Sequence, residues 1–457
     1  MFYLIYNLLS IVLLFPVMVY HLYRSVSRGR APAFAQRFGL VSGKERAAIC
    51  NRPVIWLHAV SVGESIAARP LLKALRKRYP DHAIAVSNTT ETGRGIASAF
   101  PEKDLCIYFP FDFLPAVRLS LDTIKPCLII IMETEIWPNF TREASLRNIP
   151  VILANGRISD RSFKRYLQFS WFFGPALRCF SKLCMQTDID RERIIAIGAP
   201  LDRAVVAGNL KYDIPFGWVT DDEKNALRKR YAIPDNLTVI CAGSTHPGEE
   251  EYVLKAYRGL LTCTSSKLLL VLAPRHPERG DNVAGLLERE GLPYRRYSTI
   301  HGRDTELFCA GDVLLVDVVG ELMGVYASSD VVFVGGSLVP TGGHNLLEPA
   351  SLGVASVFGP YTTNFREITA LVLQYGAGIR IDNPDELSET FQALISSTEL
   401  RKVLGQNGLK MMRDQGGSTE RHMNIIDSYL KGSTDRVGSA QENEKDMHAA
   451  IKPSGCQ

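Results

Sequence analysis

The chain has 457 residues, 46% apolar and 22% charged, with a formal net charge of +4. That length exceeds one ordinary domain, and the composition supports full hydrophobic cores and excludes a disordered chain. So small a net charge offers no general attraction to polyanions; nucleic-acid binding is not expected, and any phosphate contact must come from local Arg and Lys.

From Met1 to Tyr23 there is no Asp, Glu, Lys or Arg. A run of ~20 apolar residues can cross a hydrocarbon core of about 30 Å. Arg24, Arg28, Arg30 and Arg37 follow the run instead of preceding it, the reverse of a cleaved signal peptide, so the segment is expected to be retained. Basic residues after the run keep the remaining chain in the cytoplasm. Pro16 and His21 complicate a straight span and leave open a helix lying in the interface or docked on its own protein.

After this segment, apolar runs alternate with amphipathic ones. "PVIWLHAV", "AIAVSN", "LCIYFPF", "CLIIIMET", "PVILAN" and "KLCMQT" predict strands in the first half; "LTVICAGS", "KLLLVLAP", "DVLLVD", "DVVFVGGS" and "ASVFGP" do so in the second. Such alternation indicates parallel sheets covered by helices on both faces, an α/β chain of two doubly wound Rossmann-like domains with a ligand cleft between them. A polar stretch from Pro215 to Asn236 marks the junction. The expected layout is an anchor over 1–23, one Rossmann-like domain over 24–214, a second over 215–431 and a disordered polar tail over 432–457. The nine cysteines form no CxxC pair; Cys106, Cys127, Cys184 and Cys241 sit in apolar runs and read as reduced core residues, with no zinc site.

Neither GxGxxG nor GxxxxGK[ST] occurs; "GLVSGK" at 39–44 lacks one residue between its glycines. Dehydrogenase and P-loop chemistry lose their main support. A different pattern, "VGGSLVPTGGHNLLEPASLG", spans 334–353. Its second glycine pair is expected to open a helix at Gly343 to Asn345, whose free amides would hold a phosphate. His344, Asn345 and Glu348 add more hydrogen-bonding groups than a turn needs, with Glu348 suited to sugar hydroxyls. Pro349 is tolerated in a first helical turn. Arg275 and His276, just past a strand, face the ligand edge of an open sheet, and Arg275 can grip phosphate through its planar fork.

In "WLHAVSVGES" a strand runs into a helix start carrying Glu64. A carboxylate there can take a proton from an attacking hydroxyl, or merely complement the helix dipole. Ala67, Leu71 and Leu75 face the core, whereas Arg69, Lys73, Arg76, Lys77 and Arg78 mark a solvated face or, beside a membrane anchor, a contact with anionic lipid head groups. Glu133 and Glu135 end the fourth main strand in "METEIWPN", and Lys211 in "GNLKYD" offers an ammonium to a leaving phosphate.

Together, "HAVSVGE", "METEIWPN", "GNLKYD", "APRHPER", "GELM" and "GGSLVPTGGHNLLEPA" resemble the bacterial 3-deoxy-D-manno-octulosonic acid (Kdo) transferases of glycosyltransferase family 30, in the GT-B class. The resemblance runs in order from the apolar amino end to about residue 430. It implies inverting transfer of Kdo from CMP-Kdo to a lipid A precursor (lipid IVA) at the cytoplasmic side of the inner membrane, in lipopolysaccharide biosynthesis. Glu64 is implied as general base, with Glu135 and Lys211 in motifs linked to transition-state stabilisation and Glu133 an alternative to Glu135. Pro274, Arg275, Gly320, Glu321, Leu322, Asn345, Leu346, Leu347 and Glu348 are implied to bind CMP. No metal and no cofactor beyond the donor is implied. Other readings are a different GT-B transferase, an epimerase acting on a UDP-sugar, and a tethered nucleotide-sugar binding protein without catalysis.

Overall fold

A computed structural model describes residues 2–27, 33–300 and 307–431. The expected disordered tail, Arg28 and Arg30 lie outside the described residues. The chain divides into two compact units, Met1–Asp213 with Gly416–Gln457, and Ile214–Gln415.

The first unit contains β1 (Val54–His58), β2 (Ala83–Asn88), β3 (Leu105–Tyr108), β4 (Pro126–Met132), β5 (Val151–Gly156), β6 (Lys182–Met185) and β7 (Ala204–Val206). They form a parallel sheet in the order β3-β2-β1-β4-β5-β6-β7. Parallel strands covered on both faces must be apolar throughout, and all five residues of β1 are buried. Trp56, Ile129 and Ile131 belong to one core, while Ile55, Leu57, Leu128 and Ile130 belong to the core on the other face. The winding reverses between β1 and β4, so their carboxyl ends flank the crevice where such sheets bind ligands.

The second unit repeats the plan with β8 (Thr238–Thr245), β9 (Leu268–Pro274), β10 (Tyr294–Arg296), β11 (Val313–Leu315), β12 (Val331–Val334), β13 (Ala355–Phe358) and β14 (Ile379–Arg380). Their order is β10-β11-β9-β8-β12-β13-β14, again parallel, with the reversal between β8 and β12. The expected strands are present. The sequence reading lacks β7, β10 and β14, each of three residues or fewer.

The polar stretch expected as a junction holds the helix Asp221–Arg230, and the units divide just before it, at Asp213 and Ile214. Residues 416–431, expected in the second domain, return to the first unit. Helical residues 418–431 bury Met423, Ile426 and Leu430 beside Leu71, Leu72 and Leu75. Each such side chain contributes ~1.5–3 kcal/mol on burial. Asp213 accepts the amides of Ser418 and Thr419, and Arg421 Nε donates to the Ala207 carbonyl at 2.9 Å.

At the amino end, Phe2–Ser27 is one helix that continues through Pro16. Its Phe2–Tyr23 portion has the length and apolarity to cross a membrane, with a mean hydropathy of 2.2. It also touches the first unit: Tyr6 Oη donates to Asp112 at 2.7 Å, Asn139 Nδ2 donates to Asn7 Oδ1 at 2.8 Å, and the His21 and Phe111 rings lie 5.4 Å apart. Of the basic residues after this helix, Arg37 packs into the first unit. It is buried, donating to the Thr89 carbonyl at 2.8 Å beneath the Tyr108 ring. The eight described cysteines are free; Cys184 and Cys241 are buried as expected, whereas Cys106 and Cys127 are only partly so.

Candidate active site

In the first unit the acidic groups collect at the β1 and β4 ends. Ser61 caps the helix Val62–Arg78, accepting the Glu64 amide. Glu64 reaches back: Oε2 accepts the Val60 amide at 2.7 Å and Oε1 the Ser61 hydroxyl at 2.9 Å. Its helix-start role is therefore real, yet a carboxylate has about four acceptor positions, so each oxygen keeps one for another donor. Glu64 is 8% exposed, and burial, followed by the negative field of Glu133, raises its pKa above the usual carboxylate range. A base of higher proton affinity competes better for a hydroxyl proton.

Glu133 begins the turn after β4 in the left-handed region, at φ 55°. Its amide donates to the Ala154 carbonyl at 2.8 Å. The following helix, Pro138–Leu146, is held by Asp112, which accepts the amides of Asn139 and Phe140 at 3.0 and 2.8 Å. Glu135 on the same turn is pushed up to about 7 by burial, then by Glu64 and Glu133. Glu64 and Glu135, one lying in the field of the other, titrate as a coupled pair. A carboxylate must be ionised to take a proton, so if Glu64 serves as a base, activity should fall on the acid side, above the ordinary carboxylate range. Glu135→Gln removes one negative neighbour and is expected to move that acid limb of kcat/KM to lower pH; a limb that stays in place would mean the two groups are not coupled.

Lys211 lies in the short helix Leu210–Tyr212, which packs against Val62–Arg78. Asn155, at φ 57°, directs its Oδ1 to the Leu210 amide at 3.0 Å, and Asn209 caps the Lys211 amide at 3.0 Å. In the basic run on Val62–Arg78, Lys73 and Lys77 are exposed, while the arginines are engaged within the unit. Arg76 is occupied by the Glu102 carbonyl and Asp104, Arg78 by Glu420 and Asp427, and Arg69 lies over the Phe100 ring.

In the second unit, the residues expected to hold CMP gather at the carboxyl edge. Pro274 ends β9 and Arg275 is exposed beyond it, its amide donating to the Thr245 carbonyl of β8 at 3.0 Å. Gly320 is exposed in the loop after β11, at φ 99° with open space where a side chain would stand. Glu321 is engaged by Arg230 at 2.5 Å and the Tyr231 hydroxyl at 2.8 Å, so it braces that loop, and Leu322 starts the helix Leu322–Ser328.

The glycine-rich segment differs from expectation. Its helix is Leu347–Ser351, four residues later than predicted. Gly342 and Gly343 have φ values of 99° and 78°, outside a right-handed helix, and the Gly343 amide is taken by the Gly336 carbonyl at 2.7 Å. Asn345 Oδ1 accepts the Leu347 amide at 3.2 Å, ending the loop. The buried Leu346 and Leu347 anchor it in the core. Glu348, bonded to Asn345, is raised by burial and lowered by Asn345 and Arg275.

Two residues missing from the sequence reading organise this edge. Glu249, 0% exposed, accepts the amides of Gly336, Ser337, Leu338 and His246 at 2.6, 2.9, 2.8 and 2.9 Å. A buried side chain thus fills the amide nest after β12. His246, directly after β8, meets His344. The signal was "STHPGEE", a strand end running into polar residues and a turn, like "APRHPER".

The 3-Deoxy-D-manno-octulosonic-acid transferase (kdotransferase) family profile matches residues 32–214. The 3-deoxy-D-manno-octulosonic acid transferase of Haemophilus influenzae is 36% identical over 411 residues, covering 88% of this chain and 93% of that protein. The one from Bordetella pertussis is 30% identical over 408 residues, covering 88% and 92%. Among solved structures, UDP-GlcNAc 2-epimerase from Neisseria meningitidis aligns with a TM-score of 0.53 at 16% identity, over 83% of this chain and 100% of that one, a likeness of fold alone. With a buried acid at one switch point, a polar edge at the other and relatives matched along nearly their whole length, the chain belongs to the Kdo transferases, glycosyltransferases of the GT-B class that act in lipopolysaccharide biosynthesis.

Proposed function

We propose that the protein moves Kdo from CMP-Kdo to a lipid A precursor at the cytoplasmic side of the bacterial inner membrane, inverting the anomeric centre. The observation that carries the reading is Glu64, a buried carboxylate at the end of β1 with two fixed hydrogen bonds and acceptor capacity to spare. It takes the proton of the acceptor sugar hydroxyl as the oxygen attacks Kdo from the face opposite the phosphate.

The transition state gains positive charge on the sugar and negative charge on the departing phosphate. The carboxylates of Glu133 and Glu135 suit the first, and Lys211 and Arg275 suit the second. Pro274, Gly320, Leu322, Asn345 and Glu348 form the nucleotide side, with Glu348 toward ribose hydroxyls. No metal is assigned a step, since the chain's own cations answer the phosphate charge. The apolar helix Phe2–Tyr23 suits an enzyme whose acceptor is a membrane lipid.

The test is incubation of the purified protein with CMP-Kdo and tetraacylated lipid A precursor, with products weighed by mass spectrometry. Addition of whole Kdo units, unchanged by a chelator and not reproduced with UDP-sugars, is the expected result. Intact acceptor after incubation would overturn the reading, and loss of turnover with the chelator would overturn its metal-free form.

A further inference from the structure

Three neighbouring strands of the second unit deliver imidazoles to one edge. His246 follows β8, His276 follows β9, and the loop after β12 brings back His344. His246 Nε2 and His344 Nε2 are 2.9 Å apart, their rings within 13° of parallel. The His276 ring stands edge-on to His246 at 6.1 Å. A nitrogen-to-nitrogen contact this short needs one proton between the two atoms: two lone pairs repel, and so do two N–H groups. The pair lies where the winding of the sheet reverses, the usual ligand crevice.

Around the pair stand both guanidiniums and carboxylates: Glu249 takes the His246 amide at 2.9 Å, and Glu278 lies 3.6 Å from the His276 ring. His344 faces Arg275, His246 and His276; His246 faces Arg275, His276, Arg279 and Glu250. That acid is committed to Arg279 at 2.9 Å and to the Thr245 hydroxyl at 2.9 Å. Burial first, and then the guanidinium of Arg275, lowers His344 to about 4; burial likewise lowers His246, with Arg279 and Arg275 adding to it and Glu250 opposing. At neutral pH the empty pair is uncharged, holding its bridging N–H. An arriving phosphate adds negative charge beside Arg275 and the two rings, which favours a protonated pair.

We propose that the His246–His344 pair takes up one proton from solvent when the cytidine monophosphate group binds at this edge, and carries the resulting shared cation against the leaving phosphate. The added proton lands on the outer Nδ1 of the ring that donates across the bridge, so the charge spreads over both imidazoles. This rests on the transferase reading above and deepens it. When the bond between Kdo and the phosphate oxygen breaks, its electron pair leaves on that oxygen and the phosphate gains one negative charge. The acceptor's proton goes to Glu64, and the pair returns its own proton to solvent as CMP departs.

The experiment is calorimetric titration of CMP into the intact protein at pH 7.5, in PIPES and in Tris, whose ionisation enthalpies differ. Uptake approaching one proton per CMP is expected. Affinity should weaken by up to about tenfold per pH unit above the pKa of the occupied pair. His344→Gln, which can keep a hydrogen bond to His246, should bind CMP with little uptake and a flat pH dependence; His246→Gln provides the same comparison from the other ring. CMP binding to the wild-type protein with the same heat in both buffers and no pH dependence overturns the proton-uptake proposal while leaving the transferase reading intact. Uptake unchanged in both variants also overturns it, placing the proton elsewhere. A protein that does not bind CMP at all overturns both.

Discussion

Glu64→Gln should lower kcat by ~10² to 10⁴, the usual cost of losing a general base, while CMP binds as before. The substitution keeps shape and most local bonds. The amide oxygen can accept the Val60 N–H, and the amide nitrogen can donate to the Ser61 hydroxyl, which rotates to receive it. Only the proton affinity disappears. Thermal melting should therefore change little, separating a chemical role from a structural one. Nucleotide titration separates it from donor binding, because CMP is assigned to the other unit. Undiminished turnover by a folded Glu64→Gln protein would remove the base from the mechanism.

Glu249→Ala should be the most damaging single change in the second unit. Its carboxylate closes four backbone donors, three of them on the loop that returns His344, Asn345 and Glu348 to the edge. A buried donor left without a partner costs about 1–3 kcal/mol. Even with water filling part of the space, a loss of about 4 kcal/mol or more is expected, with CMP affinity falling more than tenfold as the loop loosens. Glu249→Gln, offering one acceptor oxygen where two now serve, should fall between Ala and wild type. Melting and CMP titration check both effects; an Ala variant with unchanged melting and binding would mean that the loop is held by other contacts.

Much of this architecture is legible from residue order. Central strands such as β1 and β4 are buried on both faces and leave apolar runs that stand out. The edge strands β10 and β14 are too short to leave one. Glu64, Glu133 and Glu135 stand out in sequence because each follows an apolar strand run. The coupling of Glu135 to Glu64 does not, since it depends on β1 and β4 becoming neighbours. The same reason hides the His246–His344 contact, made across β8 and β12 from residues 98 apart in sequence.

The misplaced helix start at Gly343 has a local cause. A glycine pair before polar residues looks like a helix opening, but positive φ at both glycines sends the chain through a further turn, and Asn345 sets the start. The destination of residues 416–431 could not be read either. An amphipathic segment shows that one face is covered without showing by what.

The return of that closing segment bears on how the protein is made. The second unit is one unbroken stretch, whereas the first lacks Met423, Ile426 and Leu430 until the segment after that stretch has emerged. On the ribosome, the half that is begun earliest is thus the last to mature, with its partner translated in full beforehand. A premature stop just after Gln415 would release a chain whose later-synthesised half can be sound while its earlier half lies open at the core.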